Sequence, residues 1–273
     1  MSKKVLVLDI DGTLTNSRKE ITPATKRAVQ EVLKQGHKVI LASGRPTPGT
    51  RRYERELELG RFHGYLLGYN GAEIVDCRTG RTMQQYLLPL SVVPQVYAFT
   101  KEWGLGLMTY SADQIISAYE PDEYVLLESQ VNQMPLRVVE NFTEYVNFDI
   151  HKCLITTPPE KAQGYVTALK TLLGETVSVY RSEAFYIEIM PQNVDKATSL
   201  HRMLTSMGIG REDTICCGDS FNDIPMVQYA GVGVAMGNAK QALKDVADYI
   251  TDTNDRDGLV PVIEKFILKE VDE

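Results

Sequence analysis

Short, unbroken apolar runs alternate along the first part of the chain with segments whose apolar residues recur every three or four positions. The runs Val5-Leu6-Val7-Leu8, Lys38-Val39-Ile40-Leu41-Ala42 and Tyr65-Leu66-Leu67-Gly68-Tyr69 predict strands buried on both faces. Between the first two, Thr22-Pro23 has the form of an N-cap with proline at the first helical position, and Ala28, Val29, Val32 and Leu33 make an apolar stripe that Gly36 ends. A second helix runs through Tyr53 and Leu57, and Asn70-Gly71-Ala72 turns the chain after the third strand. Strand, helix, strand, helix, strand is the order that builds a parallel sheet.

The alternation changes character from about Leu87 to Met190. Helices through Val93, Val96 and Phe99, after Pro121, and through Ala162, Val166 and Leu169 mix there with strands at Leu107–Tyr110, Ile115–Tyr119 and His151–Ile155. Val177–Tyr180 and Phe185–Met190 read as a hairpin. This predicts an α+β domain, residues 87–190, inserted into a core made of 1–86 and 191–273. The core pattern then resumes: a helix from Lys196 with Leu200, Met203, Leu204 and Met207 on one face and Gly208 as its stop. Strands follow at Thr214–Cys217, Val232–Met236 and Ala247–Thr251, and a helix through Val262, Ile263, Phe266 and Ile267 closes the chain.

A length of 273 residues suits one large or two moderate domains, and 43% hydrophobic with 24% charged residues is ordinary for a globular protein. The net charge of −7 argues against an electrostatic nucleic-acid binder. An anionic substrate must therefore be drawn by a local site, not by the overall field. Met1-Ser2-Lys3-Lys4 runs straight into the first strand without a signal-peptide pattern, and no apolar stretch approaches a membrane span. Cys77, Cys153, Cys216 and Cys217 lack metal-finger spacing, so a reduced, cytoplasmic protein with no membrane partner is predicted.

The chemistry gathers where the predicted strands end. Asp9-Ile10-Asp11-Gly12-Thr13 follows the first strand, and residues i and i+2 of an extended segment point to one side, so Asp9 and Asp11 can face one small volume. Two such carboxylates on a buried strand are costly unless a cation or a substrate uses them. Ser43-Gly44-Arg45 follows the second strand, where a small hydroxyl beside glycine can offer its side chain and backbone N–H groups to an anion. Gly218-Asp219-Ser220-Phe221-Asn222-Asp223 follows Thr214–Cys217, and Lys196 begins the helix before it. Ligands of open α/β sheets bind at this end of the strands.

In this order the four pieces resemble the motifs of the haloacid dehalogenase superfamily of phosphohydrolases. Gly237-Asn238-Ala239 and Asp257-Gly258 resemble, further, the Cof-type sugar-phosphate phosphatases, whose class IIB (C2-type) cap is inserted after the third core strand. Ala197 stands where that group usually has glycine. The resemblance implies an α/β fold: a Rossmann-like parallel-sheet core with an inserted α+β cap that selects the substrate.

It also implies roles for single residues. Asp9 would be the nucleophile, forming an aspartyl-phosphate. Asp11 would protonate the leaving alkoxide and then deprotonate the water that hydrolyses the intermediate. Mg²⁺ would be held by Asp9, by Asp11 through its backbone carbonyl, and by Asp219, with Asp223 orienting the ion's waters or Lys196. The Ile10 N–H, Ser43, Gly44, Lys196 and Asn222 would bind phosphate oxygens, while Arg45 and Asn70 are candidates for the rest of the substrate. In the cap, Arg181 and Glu183 are further candidates.

The resulting reading is a Mg²⁺-dependent phosphatase of small phosphorylated metabolites, sugar phosphates above all. A phosphomutase resembling phosphomannomutase is the alternative, but it must grip a second phosphate, and Arg137, Lys161 and Arg181 are scattered. A phosphorylatable receiver domain also uses strand-end aspartates and a lysine; the second carboxylate at Asp11 and the large insertion argue against it. The substrate itself, the pathway and the oligomeric state leave no mark in the sequence.

Overall fold

The computed structural model describes residues 3–268. They form two compact units, one from the chain up to Gln84 and again from Asp195, the other from Gln85–Val194. Five strands come first: β1 (Val5–Leu8), β2 (Lys38–Ala42), β3 (Tyr65–Gly68), β4 (Glu73–Asp76) and β5 (Thr82–Gln85). Six follow, β6 (Gly106–Tyr110), β7 (Ile115–Ser117), β8 (Leu136–Val138), β9 (Cys153–Thr156), β10 (Val177–Arg181) and β11 (Tyr186–Pro191). The last three are β12 (Thr214–Gly218), β13 (Val232–Ala235) and β14 (Tyr249–Ile250).

In the first unit β1 is flanked by β12 and β2 in an eight-stranded sheet of order β14-β13-β12-β1-β2-β3-β4-β5. Both flanking pairs are parallel, and Leu8 stands opposite Cys217 on one side and Leu41 on the other. β2 with β3, β12 with β13 and β13 with β14 are parallel as well. β3 and β4 run antiparallel, with Tyr65 opposite Asp76, so the parallel sheet carries an antiparallel edge. The sequence pattern gave no hint of β4, because its Ile74 and Val75 are enclosed by acids and followed within a few residues by a turn.

Alternation along the strands explains why their runs are apolar throughout. Leu6 and Leu8 point to a core shared with Val29, Val32 and Leu33 of the helix Pro23–Lys34 and with Val262 and Ile263. Val5 and Val7 point the other way, to Leu200, Met203 and Leu204 of the helix Lys196–Ser206 and to Met226. Each strand is thus covered on both faces. Thr22 caps the first of these helices by accepting from Thr25 N at 3.2 Å, with Pro23 next, and Gly36 leaves it at φ 80°. Asp195 caps the other, accepting from Thr198 N at 2.8 Å, which puts Lys196 at its first position.

The second unit is a six-stranded sheet of order β10-β11-β9-β6-β7-β8, antiparallel except for β7 with β8. The hairpin read from the sequence is β10–β11, with Val179 opposite Ile189. Leu107, Ile155, Ile187 and Ile189 on one face pack with Val96, Phe99, Val166 and Leu169 from the helices Val93–Trp103 and Ala162–Leu173. The edge strand β8 and the short helix Phe142–Tyr145 carry too few apolar residues to show a period. Cys77, Cys153, Cys216 and Cys217 are buried free thiols, and no helix among the described residues is long and apolar enough to cross a membrane.

Candidate active site

Strand order brings the polar clusters together. Asp9, Ser43 and Asp219 each follow the last residue of three neighbouring strands, β1, β2 and β12, and Asn70 follows the end of β3. The sheet ladder continues one step into this region: Asp9 N donates to Cys217 O at 3.0 Å and Ser43 N to Leu67 O at 2.8 Å. The Ile10 side chain is buried in the core, which aims the chain so that Thr15 N and Thr15 Oγ1 both donate to Ile10 O, at 3.0 and 2.9 Å.

Lys196 ties two of the ends together. Its Nζ donates to Asp9 Oδ1 and to Asp223 Oδ1, both at 2.6 Å, and it is fully buried. Asp223 uses its other oxygen, Oδ2, to accept from Asp219 N at 3.1 Å and Ser220 N at 3.0 Å. One buried carboxylate therefore fixes both the lysine and the backbone of the Asp219 turn. Gly12 has φ 83°, and a Cβ there would collide with Asp219 Oδ2, so the β1 turn and the Asp219 side chain are in close contact.

The Asp11 carboxylate faces different partners. Arg45 grips it with both arms of its fork, Nε to Oδ2 at 2.6 Å and Nη2 to Oδ1 at 2.7 Å, and Lys19 Nζ adds a third donor to Oδ1 at 2.7 Å. Arg45 is buried to 6% exposure, whereas Lys19 is half exposed. Ser43 Oγ accepts from Arg45 N at 3.2 Å, and Asn70, at φ 54°, accepts on Oδ1 from Asn222 Nδ2 at 3.0 Å. A Cβ on Gly44 would press on that Asn70 side chain. Gly44, Asn70 and Asn222 thus meet one another beyond the ends of β2, β3 and β12, with Ser43 next in the chain to Gly44.

The charges are unbalanced. Asp9, Asp219 and Asp223 each offer an oxygen within 4.8 Å of the others, and Lys196 is the cation set among them. Burial, and after it the Asp223 charge, pushes the Asp219 carboxyl up to about 7. The same two causes raise Asp9 well above the ordinary range, with Lys196 opposing them. Burial works against the Lys196 cation, but Asp223 and Asp9 outweigh it and hold the lysine charged. At Asp11 burial is likewise outweighed, by Arg45 and Lys19, which keep that carboxyl well below its usual range. A cluster of oxygen donors with excess negative charge suits a hard divalent cation, which would relieve the repulsion that raises Asp219 and Asp9.

The structure therefore gathers Asp9, Asp219, Asp223 and Lys196 into one cluster, and Ser43, Gly44, Asn70 and Asn222 follow the ends of the strands around it. Asp11 stands apart from the three-carboxylate cluster, with its carboxylate on Arg45 and Lys19. Arg45 and Asn70 meet site residues directly. Sequence reasoning missed Lys19: it lies in the loop Ser17-Arg18-Lys19 at φ 62°, a position with no periodicity to mark it. Arg181 donates to Ala184 O at 2.9 Å within its own hairpin turn.

Comparison with known proteins agrees with this geometry. The family model described as haloacid dehalogenase-like hydrolase matches residues 6–263. A crystal structure of a haloacid dehalogenase-like hydrolase from Bacteroides thetaiotaomicron is 39% identical with a TM-score of 0.92, over 97% of this chain and 99% of that one. The haloacid dehalogenase subclass IIB sugar phosphatase BT4131 superposes with a TM-score of 0.81 at 25% identity, covering 97% of this chain and 99% of its own. The 5-amino-6-(5-phospho-D-ribitylamino)uracil phosphatase YitU of Bacillus subtilis is 29% identical over 96% of this chain and 97% of its own length. A model match spanning nearly the whole chain, on a core whose strand ends carry these side chains, assigns the family: the protein belongs to the haloacid dehalogenase-like hydrolases.

Proposed function

We propose that this hydrolase, a phosphatase, removes phosphate from small phosphorylated metabolites, sugar phosphates in particular, through an aspartyl-phosphate on Asp9, with Mg²⁺ as cofactor. The observation that carries the reading is Lys196 bridging Asp9 and Asp223 at the carboxyl ends of adjacent strands, beside the Ser43-Gly44 turn. A phosphate monoester dianion repels an attacking carboxylate, so catalysis here is mostly positioning and charge neutralisation. The Ile10 N–H, Ser43, Gly44, Asn222 and Lys196 would hold the phosphate oxygens in line with the Asp9 carboxylate. Asp9, Asp219 and the Asp11 backbone carbonyl would hold the Mg²⁺ ion, which when bound would neutralise carboxylate and phosphate charge together.

Asp9 Oδ attacks phosphorus, the bond from phosphorus to the ester oxygen breaks, and the departing oxygen takes a proton from Asp11. Water then attacks the phosphorus of the aspartyl-phosphate, gives its proton to Asp11 and releases inorganic phosphate with Asp9 regenerated. Asp11 is held ionised by Arg45 and Lys19, which is the form the second half needs. For the first half Asp11 must carry a proton, a form that the negative charge of a substrate phosphate close by would favour.

Residues 85–194 would form the cap that chooses among substrates. Relatives include a named sugar phosphatase and a phosphatase of a phosphorylated ribitylaminouracil, both small phosphorylated polyhydroxy compounds. Turnover of a panel of sugar phosphates, nucleotides and phosphorylated cofactors, with and without EDTA and with Asp9→Asn alongside, tests the whole reading. Activity that survives in folded Asp9→Asn sinks the nucleophile assignment, and full activity in metal-free buffer sinks the cofactor.

A further inference from the structure

The loop that carries Asp11 is fastened from outside the site by side chains that the reaction does not use. Asn238 Nδ2 donates to Gly12 O at 2.8 Å, and Asn238 Oδ1 accepts from Asn254 N at 3.0 Å. Asn254 Nδ2 in turn donates to Thr15 O at 2.8 Å. Two residues further on, Ser17 N donates to Asp255 Oδ1 at 2.8 Å. The turn after β1 is thus held at Gly12, Thr15 and Ser17 by its backbone, whatever side chains it bears. The fastening residues sit in the two loops that follow β13 and β14.

These loops also bear on the other wall of the site. Gly237 N donates to Asp252 O at 3.0 Å and Lys240 N to Asp219 O at 2.9 Å, so the Asn238 loop is braced against Asp219 itself. Gly12, at φ 83°, lies so close that a Cβ would strike Asp219 Oδ2. The loop 237–240 therefore joins the two turns, reaching Gly12 through the Asn238 side chain and Asp219 through the Lys240 N–H. The Asn238 side chain is exposed, so it adds little to the packed core. An exposed asparagine bonded on both amide atoms to two separate loops is explained better by alignment than by stability.

We infer that Asn238 and Asn254 are positioning residues for the phosphatase reaction: together they lock the backbone of the Asp11–Ser17 turn in register with Asp219. The inference rests on the proposed role of Asp11 and Asp219 in that reaction. Misplacement of a reacting group by about 1 Å can cost on the order of 10²-fold in rate. Asn238 holds the turn at Gly12 and Asn254 holds it at Thr15, so losing either should free the same Asp11 carboxylate, and losing both should add little.

The test uses the full-length protein with p-nitrophenyl phosphate as probe. Asn238→Ala and Asn254→Ala should each lower kcat by about 10- to 10²-fold with KM nearly unchanged, and the double variant should fall no further than the worse single one. Native-state hydrogen exchange should show faster exchange of amides in residues 11–17 in both variants while the β1 and β2 amides stay protected. A kcat within about twofold of wild type in both single variants, or single losses that multiply in the double variant, would overturn the inference. Asp9→Asn measured in parallel keeps the two questions separate: its turnover decides the nucleophile, and the asparagine variants decide the lock.

Discussion

Lys196 Nζ and Asp9 Oδ1 lie 2.6 Å apart in the interior, although the two residues are 187 positions apart in the chain. A lysine at the first position of a helix is badly placed with respect to the helix dipole, and one buried completely is costlier still. Asp9 and Asp223 together offset that cost. The ammonium is the brace of the site, because it joins the end of β1 to the turn after β12.

Removing the brace should destabilise the protein as well as silence it. Lys196→Met leaves Asp9 and Asp223 buried and facing each other, and breaking a buried ion pair from one side costs about 3–5 kcal/mol. Urea unfolding of wild type and variant in EDTA reads the difference. A variant within about 1 kcal/mol of wild type would show that the carboxylates have another partner.

The charge imbalance gives a pH dependence to the metal-free protein. Burial, and after it the Asp223 charge, pushes the folded Asp219 carboxyl up to about 7, above its unfolded range. Between the unfolded value, near 4, and that folded value, the native state binds more protons than the unfolded chain, so stability falls as pH rises through this window. Above it the loss is complete. A divalent cation held at Asp219 would take the place of the proton, so stabilisation by Mg²⁺ should grow from pH 5 to pH 7.5. Melting curves in EDTA and in Mg²⁺ across that range check it. A Mg²⁺ effect that is flat with pH would contradict the assignment of Asp219 to the cation site.

Gly12 is the backbone counterpart of that argument. Gly12→Ala forces a Cβ into a left-handed position, an intrinsic cost of about 1–2 kcal/mol, and drives it against Asp219 Oδ2. Asp219 must move, so cation affinity measured by calorimetry should drop much more than the melting temperature does. Unchanged affinity would mean that Asp219 is not where the cation binds.

Much of this arrangement was legible in the sequence, for reasons that particular residues make plain. Val5–Leu8 is apolar throughout because both its faces are covered, and Thr22-Pro23 sets a helix start by local chemistry alone. The motif residues Asp9, Ser43, Lys196 and Asp219 sit at element ends, where pattern breaks are visible. What the sequence hid depends on which strands lie side by side. Arg45 reaches Asp11 only because β1 and β2 are neighbours, and Lys19 reaches it only through a loop with a positive φ. β4 was hidden because its Ile74 and Val75 are too short a run to show a period.

Asp11 and Asp9 can be told apart by the leaving group. A sugar alkoxide leaves poorly without a proton, whereas a nitrophenolate needs no help, and a general acid contributes about 10²–10⁴-fold. Asp11→Asn should therefore slow phosphorylation by a sugar phosphate far more than by p-nitrophenyl phosphate. With the aryl substrate the missing base should leave a burst followed by slow turnover. Equal losses for the two substrates in rapid-quench experiments would assign Asp11 to holding the turn and Arg45, not to proton transfer.

The central claim is that Asp9 becomes phosphorylated. Acid quenching of Asp11→Asn during the burst, followed by borohydride reduction and peptide mass spectrometry, reads that directly, since an acyl phosphate is reduced to the alcohol and a free carboxylate is not. Homoserine is predicted at position 9, with unmodified aspartate at positions 219 and 223. Reduction at Asp219 or Asp223, or a burst with aspartate intact at position 9, would contradict it.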